Sequence, residues 1–366
     1  MTAILPRRPA PASSTNSLTT GRLPRLFELW LLLTVLVVVA VAFLLMGFNI
    51  TGWLVVSAII YLIAIGVASS IVENRRQAVD RVVRGLVTVA FLLAVAPLIS
   101  TLWTVVAKGI GQLSWTFITQ PGGSHFDPNT LKVTTTPGAL QAIVGTLEIT
   151  GIAAVISVPI GILTSIYLVE YAQPKQLLRR IITFLVDVMT GIPSIVAGLF
   201  AFSFFTLIVG PKAFSGFSAS IALCVLMIPI VVRSVEEMLR LVPNDLREAS
   251  YALGVPKSLT ITKIVLRTAI SGIITGVVLA IARVIGETAP IFIAASFTDN
   301  FNANPFSGPM QTLPVLAYTG YKFPGQDIAA SVNSAWGAAL LLVILVVIFN
   351  LIARLVGRIF APKTGR

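Results

Sequence analysis

Arg283 and Glu287 stand four residues apart in AIARVIGETAP, residues 280–290, within an apolar run from about 271 to 297. On one helix two such side chains share a face. An arginine at the centre of a membrane helix costs about 2.5–3.5 kcal/mol on insertion scales, and an acidic residue costs a similar amount. One reading is an ion pair that staples the helix. Arg ahead of Glu is, however, the weaker order for an i,i+4 pair, so local support does not offset the cost. The residue types favour a polar path instead. A guanidinium offers a planar fork of donors suited to an oxyanion. A carboxylate can accept a hydrogen bond from an anion that still carries a proton. Hydrogen phosphate carries one at neutral pH and sulfate does not, which favours the former.

Other residues allow other chemistry. Glu148 and Asp187 lie in or near apolar runs and could relay protons in a secondary transporter. The alternatives are capping near a helix end, or pairing with an arginine. Cys224 is the only cysteine and reads as a small buried apolar residue, so no intrachain disulfide exists. His125 is the only histidine and falls in a loop, which leaves no Cys/His metal site. No catalytic residue, metal or cofactor is expected.

These residues must be positioned by membrane helices. The chain is 56% hydrophobic and 11% charged, against about 25% charged in a soluble domain. Apolar runs occur at about 29–46, 53–72, 86–107, 141–169, 182–209, 217–239, 270–298 and 336–357. Each approaches or exceeds the roughly 20 residues that cross a bilayer as helix, which predicts eight spans. The net charge of +12 is explained by topology, not by nucleic-acid binding. Twenty of the 26 Lys and Arg residues fall on alternate segments that include both termini, and four fall on the others. The positive-inside rule therefore puts both termini in the cytoplasm. Residues 1–28, rich in Pro, Ser, Thr and Arg, read as a disordered cytoplasmic tail. Ala40-Val41-Ala42 resembles a signal cleavage site, but the apolar run continues past it and the preceding tail is long for a signal peptide. Gly191 and Pro193 in GIPSIVAG should break or kink their run, and broken membrane helices often line cavities. Gly272, Gly276 and Ala280 form a small-residue stripe suited to close helix packing.

The inside segment 240–269 is polar with helical propensity. Pro243 is a helix-start proline, and Gly254-Val255-Pro256 should stop that helix before it restarts. Leu246, Ala249 and Leu253 would give it a small apolar face able to dock into a partner's groove. By contrast, the outside segment 299–335 holds four prolines among Asn, Ser and Gly and reads as a long loop.

Glu248-Ala249-Ser250, then Gly254 and Ile264-Val265-Leu266, resembles the coupling loop of ABC importer permeases, which meets the cytoplasmic ATPase in that family. Ser250 stands where the family pattern has Ala, and Arg267 where it has Pro. The stretches 145–172, 187–200 and REASYALGVPKS followed by SGIITGVVLAIARVIGETAP, with the late TLPVLAYTGY, are similar to the PstA permeases of bacterial phosphate importers. Ala289-Pro290 after Gly286-Glu287-Thr288 favours that group over the paired PstC permeases. The resemblance covers about residues 86–360.

It implies a six-helix type I permease core with a coupling helix at 244–258 and an extra transmembrane hairpin at 29–72. Altogether the expected fold is an all-α membrane protein of about eight spans. It implies Arg283, Glu287 and Thr288 on the substrate path, and Leu246, Glu248, Ala249, Leu253 and Gly254 in ATPase coupling. It also implies a PstC-like permease partner, a PstB-like ATPase dimer and a PstS-like phosphate-binding protein. The chain has no G-x-x-x-x-G-K-[ST] phosphate loop, so ATP hydrolysis is expected on separate subunits. The expected function is a permease subunit for inorganic phosphate in the cell membrane. The alternatives are an ABC permease for another oxyanion, a proton-coupled secondary transporter, or a membrane scaffold without transport.

Overall fold

The computed structural model describes residues 23–24, 26–127, 132–210 and 213–360. Of the tail expected at 1–28, residues 23, 24 and 26–28 are described, with Phe27 and Glu28 already helical rather than disordered, and the rest lies outside the described residues. Two compact units divide between Leu102 and Trp103.

The first unit holds α1 (Phe27–Met46), α2 (Ile50–Val72) and most of α3 (Arg75–Gly109). Asn49 starts α2 by accepting the N–H groups of Thr51 and Gly52, at 3.0 and 3.3 Å. Such a cap satisfies donors that a helix start leaves open. At the other end of α2, Glu73 accepts from Arg81 (2.9 and 2.7 Å), from Ser69 Oγ (2.6 Å) and from the Leu23 N–H (2.9 Å). Arg81 also reaches Glu28 at 2.6 Å. Burial alone would raise the Glu73 carboxyl, but these bonds outweigh it and hold the pKa at about 2.

The second unit continues with α4 (Trp115–Thr119), a hairpin of β1 (Gly123–Asp127) and β2 (Lys132–Thr136), and α5 (Leu140–Ile166). The strands are antiparallel, with Gly123 opposite Thr136, so the backbone at His125 is strand rather than loop. A π-helical turn, Tyr167–Tyr171, ends α5. Then come α6 (Leu177–Thr190), α7 (Ser194–Val209), α8 (Gly216–Arg240), α9 (Asn244–Ala252) and α10 (Lys257–Thr260). A second π turn, Ile261–Val265, leads into α11 (Leu266–Val284), followed by α12 (Ala289–Ala295), α13 (Leu313–Lys322) and α14 (Ile328–Phe360). The segment 299–335, read as a loop from its prolines, thus contains α13 and the start of α14 at Ile328. Pro314 sits in its first turn, where its missing N–H costs no ladder bond.

Among the described residues seven helices are long and apolar enough to cross a membrane, or eight if α6 and α7 count as one broken span. All eight apolar runs are largely helical, two of them broken at 191–193 and 285–288, and the all-α membrane fold stands, with one small hairpin added. The α6–α7 bend is 108°, larger than a proline kink, because Gly191-Ile192-Pro193 interrupts the ladder altogether.

The core of this unit is the contact of α5, α8, α11 and α12, with Ile149, Leu223, Met227, Val231 and Ile291 buried. The predicted small-residue stripe packs against α8. A Cβ on Gly272 would stand 2.8 Å from Met238 Cγ, and one on Gly276 would stand 2.7 Å from Ser234 Cβ. Both are closer than side chains tolerate. Hydroxyls tie the helices further: Ser165 Oγ donates to the carbonyls of Gly161 and Val232, both at 2.8 Å, and Ser220 Oγ reaches the Ile149 carbonyl at 3.1 Å. A hydroxyl bonded to backbone carries little penalty in hydrocarbon.

Candidate functional site

Two places carry the charges singled out from the sequence. The first is built around α9. Pro243 precedes its first residue, and Gly254, at φ +74°, turns the chain beyond its end. That angle lies in the left-handed region that glycine occupies without strain. Pro256 then starts α10. Leu246, Glu248, Ala249, Leu253 and Gly254 are all exposed. Leu253 is 84% exposed and Leu246 41%, so an apolar surface of α9 is uncovered in this chain.

The opposite side of α9 is fixed by Arg247. Its Nε and Nη2 donate to Glu170 Oε1 at 3.1 and 2.7 Å. Its Nη1 donates to the Val242 carbonyl at 2.6 Å, and Nη2 also to the Leu239 carbonyl at 3.0 Å. Arg247 thereby closes the C-terminus of α8, where carbonyls lack helical partners and a cation is favoured. Glu170 comes from the π turn after α5, and its side chain is only 5% exposed. Ser250 and Thr260 share a 2.8 Å hydrogen bond that joins α9 to α10. Lys257 Nζ lies 4.9 Å from the Tyr171 ring centre, a cation–π contact. Sequence reasoning missed Glu170, which stands 77 residues from Arg247. Its only local signal is an acid at the end of an apolar run.

The second place is the end of α11. The run 270–298 does not form one helix: α11 ends at Val284, and α12 begins at Ala289. The i,i+4 helical face expected for Arg283 and Glu287 is therefore interrupted between them. Gly286 is a weak helix former, and Pro290 lacks an N–H and would crowd the carbonyl four residues back. Arg283 lies in the last turn of α11 and is exposed in the chain alone. Glu287 and Thr288 lie in the break, half-buried. Among the described residues neither Arg283 nor Glu287 is in an ion pair. α7 packs closely on the far side of the break: a Cβ on Gly198 would meet Pro290 Cα at 2.6 Å.

Arg233, the other arginine inside an apolar run, behaves differently. It bonds Asp187 on α6 and, at 2.9 Å, Glu236. Glu236, 8% exposed, is also held by Arg240 at 2.5 Å. Asp187 is thus paired with an arginine. Glu148 on α5 keeps one buried oxygen, Oε2, without a partner among the described residues. Cys224 is buried on α8 with its thiol 3.7 Å from the Ala153 carbonyl. Among the described residues no group of His, Cys, Asp and Glu is arranged to hold a metal ion.

The chain is similar to known proteins over much of its length. A family model described as "Binding-protein-dependent transport system inner membrane component" matches residues 157–366. The Phosphate transport system permease protein PstA 1 of Mycobacterium tuberculosis is 43% identical over 293 residues, 80% of this chain and 91% of that protein. The Phosphate transport system permease protein PstA of Yersinia pestis is 39% identical over 290 residues, 79% of this chain and 92% of that one. A solved chain of the inward-facing MetNI methionine ABC transporter is 24% identical, with a TM-score of 0.47, covering 61% of this chain and 94% of its own. The matched family and the identity to these relatives lead to one conclusion: this multi-pass membrane protein belongs to the binding-protein-dependent transport system inner membrane component family, in its PstA group of permeases.

Proposed function

We propose that the chain is a transmembrane subunit of an ATP-driven importer of inorganic phosphate, with both termini cytoplasmic. A PstC-like permease completes the path, a PstB-like ATPase dimer drives it, and a PstS-like binding protein delivers the anion outside. The observation that carries the reading is Arg283. Of the two arginines inside apolar runs, Arg233 is satisfied by Asp187 and Glu236, whereas Arg283, at a helix break, is in no ion pair among the described residues. A guanidinium outside close ion pairs, at interrupted backbone, is what an anion needs on its way through a membrane. The names of these relatives support phosphate as the anion.

In this reading ATP closes the ATPase dimer against the exposed side of α9, through Leu246, Glu248, Ala249 and Leu253, while Gly254 supplies the turn. Arg247 and the Ser250–Thr260 bond carry that motion into α8, α5 and α10. The helix from Lys257 to Val284 is 28 residues long, or about 42 Å at 1.5 Å per residue. It spans the roughly 30 Å hydrocarbon core and so links α9 to the Arg283 break. Arg283 offsets the anion's charge, Glu287 accepts a hydrogen bond from the anion's protonated oxygen, and Thr288 supplies a hydroxyl. The contact stays weak enough to release, since conduction fails when binding is too tight.

The test is uptake of labelled phosphate in cells that depend on this permease, with excess unlabelled phosphate, sulfate or molybdate, and with ATP depleted while the proton gradient is held. The expected result is competition by phosphate alone and arrest without ATP. Uptake that continues without ATP points to proton coupling. Equal competition by sulfate points to a broader oxyanion permease.

A further inference from the structure

A groove of about 680 Å³ lies between α11 and α14. Ser271 and Thr275 line it from α11, and Leu351, Arg354, Leu355 and Arg358 line it from α14. Each set repeats at i,i+4, so each presents one helical face. Gly357 keeps the groove open: a Cβ there would stand 4.0 Å from the Ser271 carbonyl, and a longer side chain would fill the space. Arg354 and Arg358 are exposed and form no ion pair among the described residues. Arg267 lies one turn before Ser271 on the same stripe of α11 and is likewise exposed.

The groove sits where two chemistries meet. Arg358 is in the last turn of α14, at the level where a membrane helix emerges into headgroups. Ser271 stands four residues beyond Arg267, where the apolar part of α11 begins. Arg358 therefore marks the polar end and Leu351 the apolar end, with Arg354 and Leu355 between them. Thr275 donates its hydroxyl to the Ser271 carbonyl at 2.8 Å, while the Ser271 hydroxyl has no partner among the described residues and remains a donor. The groove volume, about 680 Å³, is larger than a free oxyanion fills. Basic pockets between helices at a membrane face are suited to anionic headgroups.

We propose that this groove binds the phosphate headgroup of an anionic phospholipid. Arg354 and Arg358 grip the phosphodiester, Ser271 donates to it, and the start of an acyl chain lies on Leu351 and Leu355. A lipid held there joins α11 to α14. It thereby braces the helix that carries Arg283 at its other end, and lipid composition becomes a control on transport. The site is separate from the anion path and does not depend on which anion is carried.

Native mass spectrometry of the purified, assembled transporter, titrated with phosphatidylglycerol or phosphatidylcholine, tests this. The expected result is retention of phosphatidylglycerol over phosphatidylcholine, unaffected by excess inorganic phosphate. Arg354→Gln with Arg358→Gln should weaken that retention about 25-fold, at about five-fold per arginine near an anionic surface. Gly357→Leu, which keeps both charges, should also abolish the preference by filling the groove. Equal retention of the two lipids overturns the proposal, as does displacement by inorganic phosphate. So does either variant behaving as wild type, or an absence of bound lipid because another subunit occupies the face.

Discussion

Arg247 and Arg283 flank the same long helix, one just before it and one at its far end, and they are held in opposite ways. Arg247 is closed: a buried carboxylate and two helix-terminal carbonyls accept its hydrogen bonds. Arg283 is open, in the last turn before a break and outside every ion pair among the described residues. The difference separates two uses of charge in a membrane protein. A closed arginine fixes geometry, because breaking a buried pair leaves an uncompensated charge. An open one is available to a ligand. Charge in an apolar run is therefore not enough to mark a path; Arg233 is equally central in sequence, yet it is consumed by Asp187 and Glu236.

Variants can break this contrast, and their effects on stability should fall in a definite order. Glu170→Ala should be the most damaging, by about 3–5 kcal/mol, since it strands Arg247. A steep loss of thermal stability in detergent would show it, whereas a near-neutral result would put Arg247 among the solvated charges. Gly276→Leu should follow at about 1–3 kcal/mol, the usual cost of overpacking, because even its Cβ meets Ser234 at 2.7 Å. The same melting assay measures it.

Glu73 gives a smaller effect with a defined pH window. Its carboxyl is lowered from 4.5 to about 2 by Arg81, Ser69 and the Leu23 N–H, which outweigh its burial. A depressed carboxylate stabilises fully above its unfolded pKa, and that contribution fades as pH falls through the folded one. The loss should thus run from about 4.5 down to about 2, and Glu73→Gln should remove this component of the acid melting profile. Leu253→Asp should change stability least, within about 0.5 kcal/mol as for other exposed sites. Its effect should appear instead as weaker association with the ATPase in a pull-down.

The sequence carries the fold's spans well, because a run of about 20 apolar residues has few other uses. It carries the small-residue stripe too: Gly272 and Gly276 sit against Met238 and Ser234. Breaks were less legible. Gly286 and Pro290 signal the end of α11, yet the surrounding hydrophobicity runs through them without interruption. The bend at Gly191–Pro193 was visible as a kink, but its size depends on packing, which residue types do not encode. The β1–β2 hairpin and α13 are short and sit among turn-forming residues that mask them. The Glu170–Arg247 pair was invisible for a different reason: 77 residues separate its members, and local spacing rules reach only a few.

The most direct test of the account is Arg283→Gln. Phosphate uptake, assembly of the transporter and its ATPase activity are measured side by side. A hydrogen bond to a charged group contributes about 1.5–3 kcal/mol, so uptake should fall roughly 10- to 100-fold while assembly, melting temperature and ATPase activity hold. Uptake at the wild-type rate would contradict the account, since an arginine outside every ion pair among the described residues would then be without a role in the path as well.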